Sequence, residues 1–265
     1  MGSFFSDLGL QPPEGGHTAV RLARPRLLRV DARVRAGTDP GDLTGLRVLL
    51  IADLLFRIAE LGGMQVVTTR VFAADPAEPA RQAAVERAAD ALGVHPPVLP
   101  ADSSGMRPGG SARVQIADDG AVGLSGHDGI TVRVAPAHLN PDALPGHATA
   151  DLLGGHDPVA VRLALMSVPH HQPAGLTAAS LAAAGETLGR WRRQVAEWAQ
   201  SPSRAIPDGI AAAVQSAFDN LDSVAALDVL ETTADDESMP AGARFEAVAY
   251  TDRVLGLELP RDIGR

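Results

Sequence analysis

Histidine side chains are the residues of this sequence best suited to acid–base chemistry or metal binding. They concentrate toward the middle of the chain, at His127, His138, His147, His156, His170 and His171. A metal site would need several of them to converge with a carboxylate such as Asp128 or Asp157. No spacing imposes that convergence, and a His-His pair in a loop is typical of an exposed elbow. We therefore expect neither a metal site nor a catalytic histidine.

Arginine clusters offer a second kind of chemistry, the binding of phosphate groups. Arg190, Arg192 and Arg193 surround a tryptophan, and Trp198 follows one helical face further on. This set could stack on and pair with RNA, although on a long helix it is also typical of a solvated basic stripe. Six further arginines alternate with apolar residues, at Arg21, Arg24, Arg26, Arg29, Arg33 and Arg35. They could meet phosphates, but the alternation favours a solvated edge strand with one wet face.

Composition excludes several classes of chemistry. The 265-residue chain contains no cysteine, and all 23 of its basic side chains are arginine. Disulfides, thiolate metal ligands, thiol nucleophiles, a Walker lysine and a lysine Schiff base are therefore excluded. The formal charge of -9 argues against a general nucleic-acid coat. Residues 1–16 predict a flexible lead-in without signal-peptide features, and no apolar run approaches a membrane span, so we expect a cytosolic protein without membrane contact.

The N-terminal half has the pattern of an α/β unit. Leu46–Leu61 is apolar enough to predict a helix covered on most sides, and the Gly62-Gly63 pair predicts its end. The β-branched run Met64–Phe72 then predicts a buried parallel strand. Helix, glycine stop and strand form half of a nucleotide-binding α/β unit. A second helix is predicted over Glu78–Leu92.

Regular structure thins out between residues 101 and 150. Ala112–Ala117 and Ile130–Val134 predict two short strands of a hairpin around the glycine-rich segment 120–129. In composition that segment is similar to a phosphate-binding loop, but a hairpin tip explains its glycines better.

Residues 151–177 join two differently built halves. Asp157 predicts a helix cap and Pro158 the first helical position. The helix that follows leaves almost no polar face apart from Arg162 and a serine, so we expect it to be largely buried. A proline ends it, and residues 170–173 predict a non-helical elbow.

The C-terminal half predicts helices only, with the spacing of a bundle core. Thr177, Asp222 and Ser238 are residue types that cap helices, and Pro207 and Pro240 suit first turns. The predicted helices are Thr177–Gln200, Pro207–Asn220, Asp222–Thr233 and Pro240–Gly256.

Three segments, in this order, resemble the cysteinyl-tRNA synthetase family, including its close relative, the cysteine ligase of mycothiol biosynthesis. Residues 52–70, A-D-L-L-F-R-I-A-E-L-G-G-M-Q-V-V-T-T-R, are similar to the helix and strand that follow the family's first ATP-binding motif. Residues 157–177, D-P-V-A-V-R-L-A-L-M-S-V-P-H-H-Q-P-A-G-L-T, and residues 216–230, S-A-F-D-N-L-D-S-V-A-A-L-D-V-L, are similar to its later helical segments. The resemblance implies an abbreviated, Rossmann-like class I synthetase core over residues 17–150 and a C-terminal helical bundle of the tRNA-binding type over residues 151–265.

The resemblance also places the ATP-binding motifs. The family's His-x-Gly-His turn corresponds to Asp42, Leu43, Thr44 and Gly45, and its Lys-Met-Ser-Lys-Ser motif corresponds to the segment containing Gly120, Ser125 and His127. Neither segment keeps the side chains that hold the triphosphate, and the cysteine ligands of the family's zinc are missing. We therefore expect no zinc, weak ATP binding at most, and loss of adenylation.

These observations favour a catalytically inactive synthetase paralogue that works by binding. Its ligand would be tRNA, a partner protein, a second copy of the chain or a small aminoacyl nucleotide. The alternative is a rebuilt enzyme, an ATP-dependent aminoacyl or cysteine ligase of a specialised pathway that uses arginines and histidines in its pocket. A third hypothesis is a structural interaction protein without a ligand.

Overall fold

A four-stranded sheet forms the N-terminal half of the protein in a computed structural model that describes residues 27–35, 39, 41–72, 79–98, 112–120, 130–143 and 152–265. Every neighbouring pair of strands in it is parallel. The spatial order is β2-β1-β3-β4, with β1 at Leu27–Val34, β2 at Gln65–Phe72, β3 at Ala112–Asp118 and β4 at Ile130–Val134. Parallel strands connected by helices confirm the predicted α/β class.

Two helices follow the first two strands, α1 at Thr44–Leu61 and α2 at Pro79–Ala91. Helix α1 packs across β1, β2 and β3 and is covered on its other sides by α2 and by the last helix of the chain, Ala241–Leu255. That double cover explains why Leu46, Leu50 and Leu55 are completely buried. Gly63, with φ of 77°, lets the chain turn from α1 into β2, as the glycine pair predicted.

A smaller unit connects the sheet to the bundle. Strands β5 (Ala137–Leu139) and β6 (Ala174–Leu176) pair in parallel, and α3 (Pro158–Met166) lies between them in the chain. A short 3-10 turn follows β5 at Pro141–Ala143. Asp157 caps α3 by accepting a hydrogen bond from the Val159 amide at 3.0 Å, and every residue from Val159 to Met166 is buried. The predicted cap and burial of this helix are both confirmed.

Four helices and a final 3-10 turn complete the described chain. They are α4 (Ala178–Trp198), α5 (Asp208–Asp219), α6 (Ser223–Asp235), α7 (Ala241–Leu255) and the turn Leu259–Asp262. Thr177 and Asp222 cap α4 and α6 as predicted. Ser238 caps no helix, because its amide and hydroxyl both donate to Asp236. No helix in the described part of the chain is long and apolar enough to cross a membrane.

The predicted hairpin between β3 and β4 is wrong. The two strands pair in parallel, with Val114 opposite Ile130 and Asp118 opposite Val134. A parallel pair needs a connection that crosses from one edge of the sheet to the other, which a tight hairpin turn cannot provide. The glycine-rich segment therefore connects the carboxyl end of β3 to the amino end of β4 and is not a hairpin tip.

The sequence also misplaced β1 and β2. Strand β1, predicted to be a wet edge strand, is an interior strand with neighbours on both sides, whereas β2, predicted to be buried, is an edge strand with mostly half-buried residues. Arg29 on β1 is buried because its Nε lies 3.0 Å from Asp31 Oδ1, and Arg113 Nε lies 2.8 Å from Asp31 Oδ2. A carboxylate between two guanidinium groups allows these charges to leave water. Arg21, Arg24 and Arg26 lie outside the described residues.

Candidate functional site at the carboxyl edge of the sheet

The candidate site lies where the chain leaves β1 and β3 at the carboxyl edge of the sheet. Successive connections from β1 and β2 place β2 and β3 on opposite sides of β1, and sheets of this kind bind ligands beside such a switch point. The turn Asp42–Gly45 forms the start of α1 at this edge, and Gly120 follows β3. The structure thus brings the described residues of both predicted ATP motifs to one edge. Ser125 and His127 lie outside the described residues.

Gly45 determines how closely α1 approaches β1. A Cβ atom at this position would lie 2.6 Å from the carbonyl oxygen of Arg35 and 2.9 Å from Cγ1 of Val34. Since these distances are too short for carbon, only glycine fits here without movement of the backbone. Beside it, Arg35 Nη2 donates to Asp118 Oδ1 at 3.1 Å, and the Gly120 amide donates to the same oxygen at 2.8 Å. The ends of β1 and β3 are therefore connected by a carboxylate.

The polar groups of the turn are engaged within the chain. Asp42 Oδ1 accepts a hydrogen bond from the Thr44 amide at 2.8 Å. The Leu43 amide donates to the Ala137 carbonyl at 2.8 Å, and Thr44 Oγ1 accepts from the Ala137 amide at 3.1 Å. These bonds dock the turn onto β5. Consequently neither side chain is free to act as the phosphate-binding donor that the synthetase motif supplies.

Arg47 is a buried residue of the site region that the sequence did not reveal as important. It is completely buried, and its guanidinium donates to the carbonyls of Gln172 at 2.6 Å and of Val168 and Pro169 at 2.9 Å. Burial lowers the pKa of Arg47 to about 10. Arg47 therefore fixes the predicted elbow against α1. Its sequence signal is an arginine within the apolar first half of α1.

The four described histidines among those that the sequence named do not converge on one another with a carboxylate. His156 Nε2 pairs with the Ala143 carbonyl at 2.8 Å, and the rings of His170 and His171 meet edge to face at 5.4 Å. Burial, followed by the neighbouring charges of His171 and Arg47, lowers the pKa of His170. No group of three or more potential metal ligands occurs within the described residues. His138 lies on the exposed side of β5, and His127 and His147 lie outside the described residues.

The buried carboxylate of Asp53 joins the sheet to the bundle. Its Oδ2 accepts from Arg162 Nη2 at 2.7 Å and from Arg57 Nε at 2.8 Å. Its Oδ1 accepts from the amide of His95 at 3.0 Å and lies 2.7 Å from His95 Nδ1. Burial acts to raise the pKa of Asp53, but the His95 hydrogen bond and the two arginine charges together hold it well below its ordinary value. The sequence signal was again a charge within an apolar helix, here with Arg57, four positions further on, as the partner that helical spacing predicts.

The proposed RNA-binding run on α4 is largely occupied by contacts within the bundle. Arg190 donates to Glu231 on α6 at 2.6 Å. Arg192 is buried and donates to the Leu257 carbonyl at 2.9 Å, and Trp198 is also buried. Arg193 is exposed. Of the four residues, Arg193 is the one with an exposed side chain that is not buried in the bundle or paired with Glu231.

No protein-family model and no curated protein sequence matches this chain. The resemblance to the cysteinyl-tRNA synthetase family therefore rests on the three sequence segments alone.

Proposed function

We propose that this chain is a cysteinyl-tRNA synthetase-like protein that binds a ligand and does not adenylate an amino acid. The observation that carries the proposal is the closure of the Asp42–Gly45 turn onto β5, through Asp42, Thr44 and Ala137. Adenylation depends on donors preorganised around the phosphates, where negative charge develops in the transition state. At this turn the available side chains stabilise the backbone.

The same geometry supports binding. The turn lies at the switch point of a parallel sheet, where α/β proteins hold small ligands. The Asp53–Arg162 pair joins α1, the helix that begins at this edge, to α3. A small aminoacyl or nucleotide ligand fits this edge better than tRNA fits α4, because Arg192 and Trp198 are buried.

Pyrophosphate exchange tests the loss of adenylation. The full chain, given ATP and a panel of amino acids that includes cysteine, should show no amino-acid-dependent exchange. Exchange above the background for any amino acid would overturn the proposal and support the rebuilt ligase.

Thermal shift measurements test binding. ATP, AMP, cysteine and bulk tRNA are added separately, and a ligand at about 100 times its Kd should stabilise the folded state by about 2.7 kcal/mol. Arg35→Gln, at the candidate edge, should reduce the shift, whereas Arg193→Gln on α4 should not. A tRNA-induced shift lost only in Arg193→Gln would place the ligand on the bundle, and no shift with any ligand would support a structural interaction protein.

A further inference from the structure

A second cleft lies at the opposite edge of the sheet, about 25 Å from the Asp42–Gly45 turn given the rise of α1. Its volume is about 470 Å³, within the range of small-molecule sites. It is formed by the C-terminal end of α1, the start of β2, the segment after α2 and the end of α7. Its lining residues are Arg57, Glu60, Leu61, Gly63, Met64, His95 and Arg253.

His95 is oriented in this cleft by a buried carboxylate. Its Nδ1 lies 2.7 Å from Asp53 Oδ1, and its ring packs on Phe56 with centroids 4.4 Å apart. Since an ionised carboxylate only accepts hydrogen bonds, Nδ1 carries a proton and donates to Asp53. With Nδ1 used in this way, Nε2 is the ring atom left to bond a ligand, and the His95 side chain is 40 % exposed. No group of the described residues forms a hydrogen bond with Nε2.

Two arginines, Arg57 and Arg253, line the cleft together with one carboxylate, Glu60. The exposed guanidinium of Arg253 makes no ion pair or hydrogen bond within the described part of the chain. Arg57 lies deeper, paired with Asp53, and its Nη2 donates to the Gly93 carbonyl at 2.8 Å. That contact offsets the negative partial charge that the end of a helix would otherwise present to an anion. The carboxylate of Glu60, on the rim, would repel a second anionic group on the ligand.

We propose that this cleft binds a small phosphate monoester, with Arg253 and Arg57 facing the phosphate and His95 Nε2 bonded to one of its oxygens. A monoester that keeps its second proton, which it loses near pH 6, can donate that proton in a hydrogen bond to the lone pair of Nε2. Leu61 and Met64 provide an apolar wall for the organic part, which a bare phosphate would leave empty. The proposal does not depend on the proposed function at the other edge.

Isothermal titration of the full chain with phenyl phosphate, glycerol 3-phosphate, inorganic phosphate and phenol tests the proposal. At least one monoester should bind more tightly than inorganic phosphate, and phenol should not bind. Nucleotides are omitted from this panel so that binding at the carboxyl edge cannot be mistaken for binding here.

Two variants locate the binding. His95→Asn keeps a donor for Asp53 at the Nδ1 position and removes Nε2, and Arg253→Gln removes an exposed charge without disturbing the core. Each should weaken monoester binding about tenfold or more, while Arg193→Gln leaves it unchanged. The proposal is overturned if no monoester binds saturably, if inorganic phosphate binds as tightly, or if both variants bind like the wild type.

Discussion

Replacing Arg162 by methionine tests how the two halves of the protein are joined. The Arg162 side chain is completely buried and donates to Asp53 Oδ2 at 2.7 Å. It also donates to the carbonyls of Leu255 at 2.6 Å and Leu92 at 3.0 Å. Methionine keeps much of the apolar stem but removes all three donors. The substitution therefore breaks contacts from α3 to α1, to α7 and to the end of α2.

The expected loss follows from what remains around Asp53. Removing one partner of a buried ion pair costs about 3–5 kcal/mol. Asp53 keeps Arg57 at 2.8 Å and His95 at 2.7 Å, so the lower value, about 3 kcal/mol, is expected. In a protein of this size, about 3 kcal/mol lowers Tm by about 6–12 °C.

Urea denaturation followed by circular dichroism, together with a thermal melt, measures the loss. Arg190→Met is the matched control, because it breaks the half-exposed pair with Glu231 and should cost at most about 1 kcal/mol. The double variant D53N/R162M should cost less than the sum of the single variants. An Arg162→Met protein as stable as the Arg190→Met control would refute the assigned role of Arg162.

Three further predictions concern charge and packing. Because the pKa of Asp53 is lowered from 3.8, its contribution to stability is present above that pH and lost as pH falls through the folded pKa. The decline in unfolding free energy between about pH 5 and pH 2 should therefore be smaller in Asp53→Asn, and an unchanged decline would contradict the network. Gly242→Ala would place a Cβ 1.9 Å from the carbonyl oxygen of Pro202 and should lower the free energy of unfolding by about 3 kcal/mol. The control Gly185→Ala, which has open space on α4, should raise the free energy of unfolding by about 0.5–1 kcal/mol. Equal urea midpoints for the two variants would show that the backbone can move away from residue 242. Gly45→Ala should cost about 1–3 kcal/mol by the same measurement, and no loss would mean that α1 is free to move away from β1.

The residues that the sequence revealed as functional differ from those that the structure brings together. The family resemblance placed Asp42–Gly45, and that turn does lie at the carboxyl edge of the sheet. His95 gave no signal, because its partner Asp53 is 42 positions away and reaches it only after α1 and α2 have packed. Arg192 and Trp198 suggested RNA binding, yet the bundle buries both side chains. Residue type indicates what a side chain can bind, whereas its neighbours decide whether it is available.

The sequence alone determined the helices and most of their ends. Caps and turns act over a few residues, so Asp157, Thr177 and Asp222 showed where α3, α4 and α6 begin. The tertiary structure alone decided which strands pair, in which direction, and where buried charges find partners. Strand β4 runs parallel to β3, Arg29 lies inside the sheet, and Arg47 and Arg162 hold the elbow and the bundle against α1. These outcomes depend on contacts between segments that are far apart in the sequence. A local pattern of residues cannot predict such contacts, because it carries no information about the distant partner.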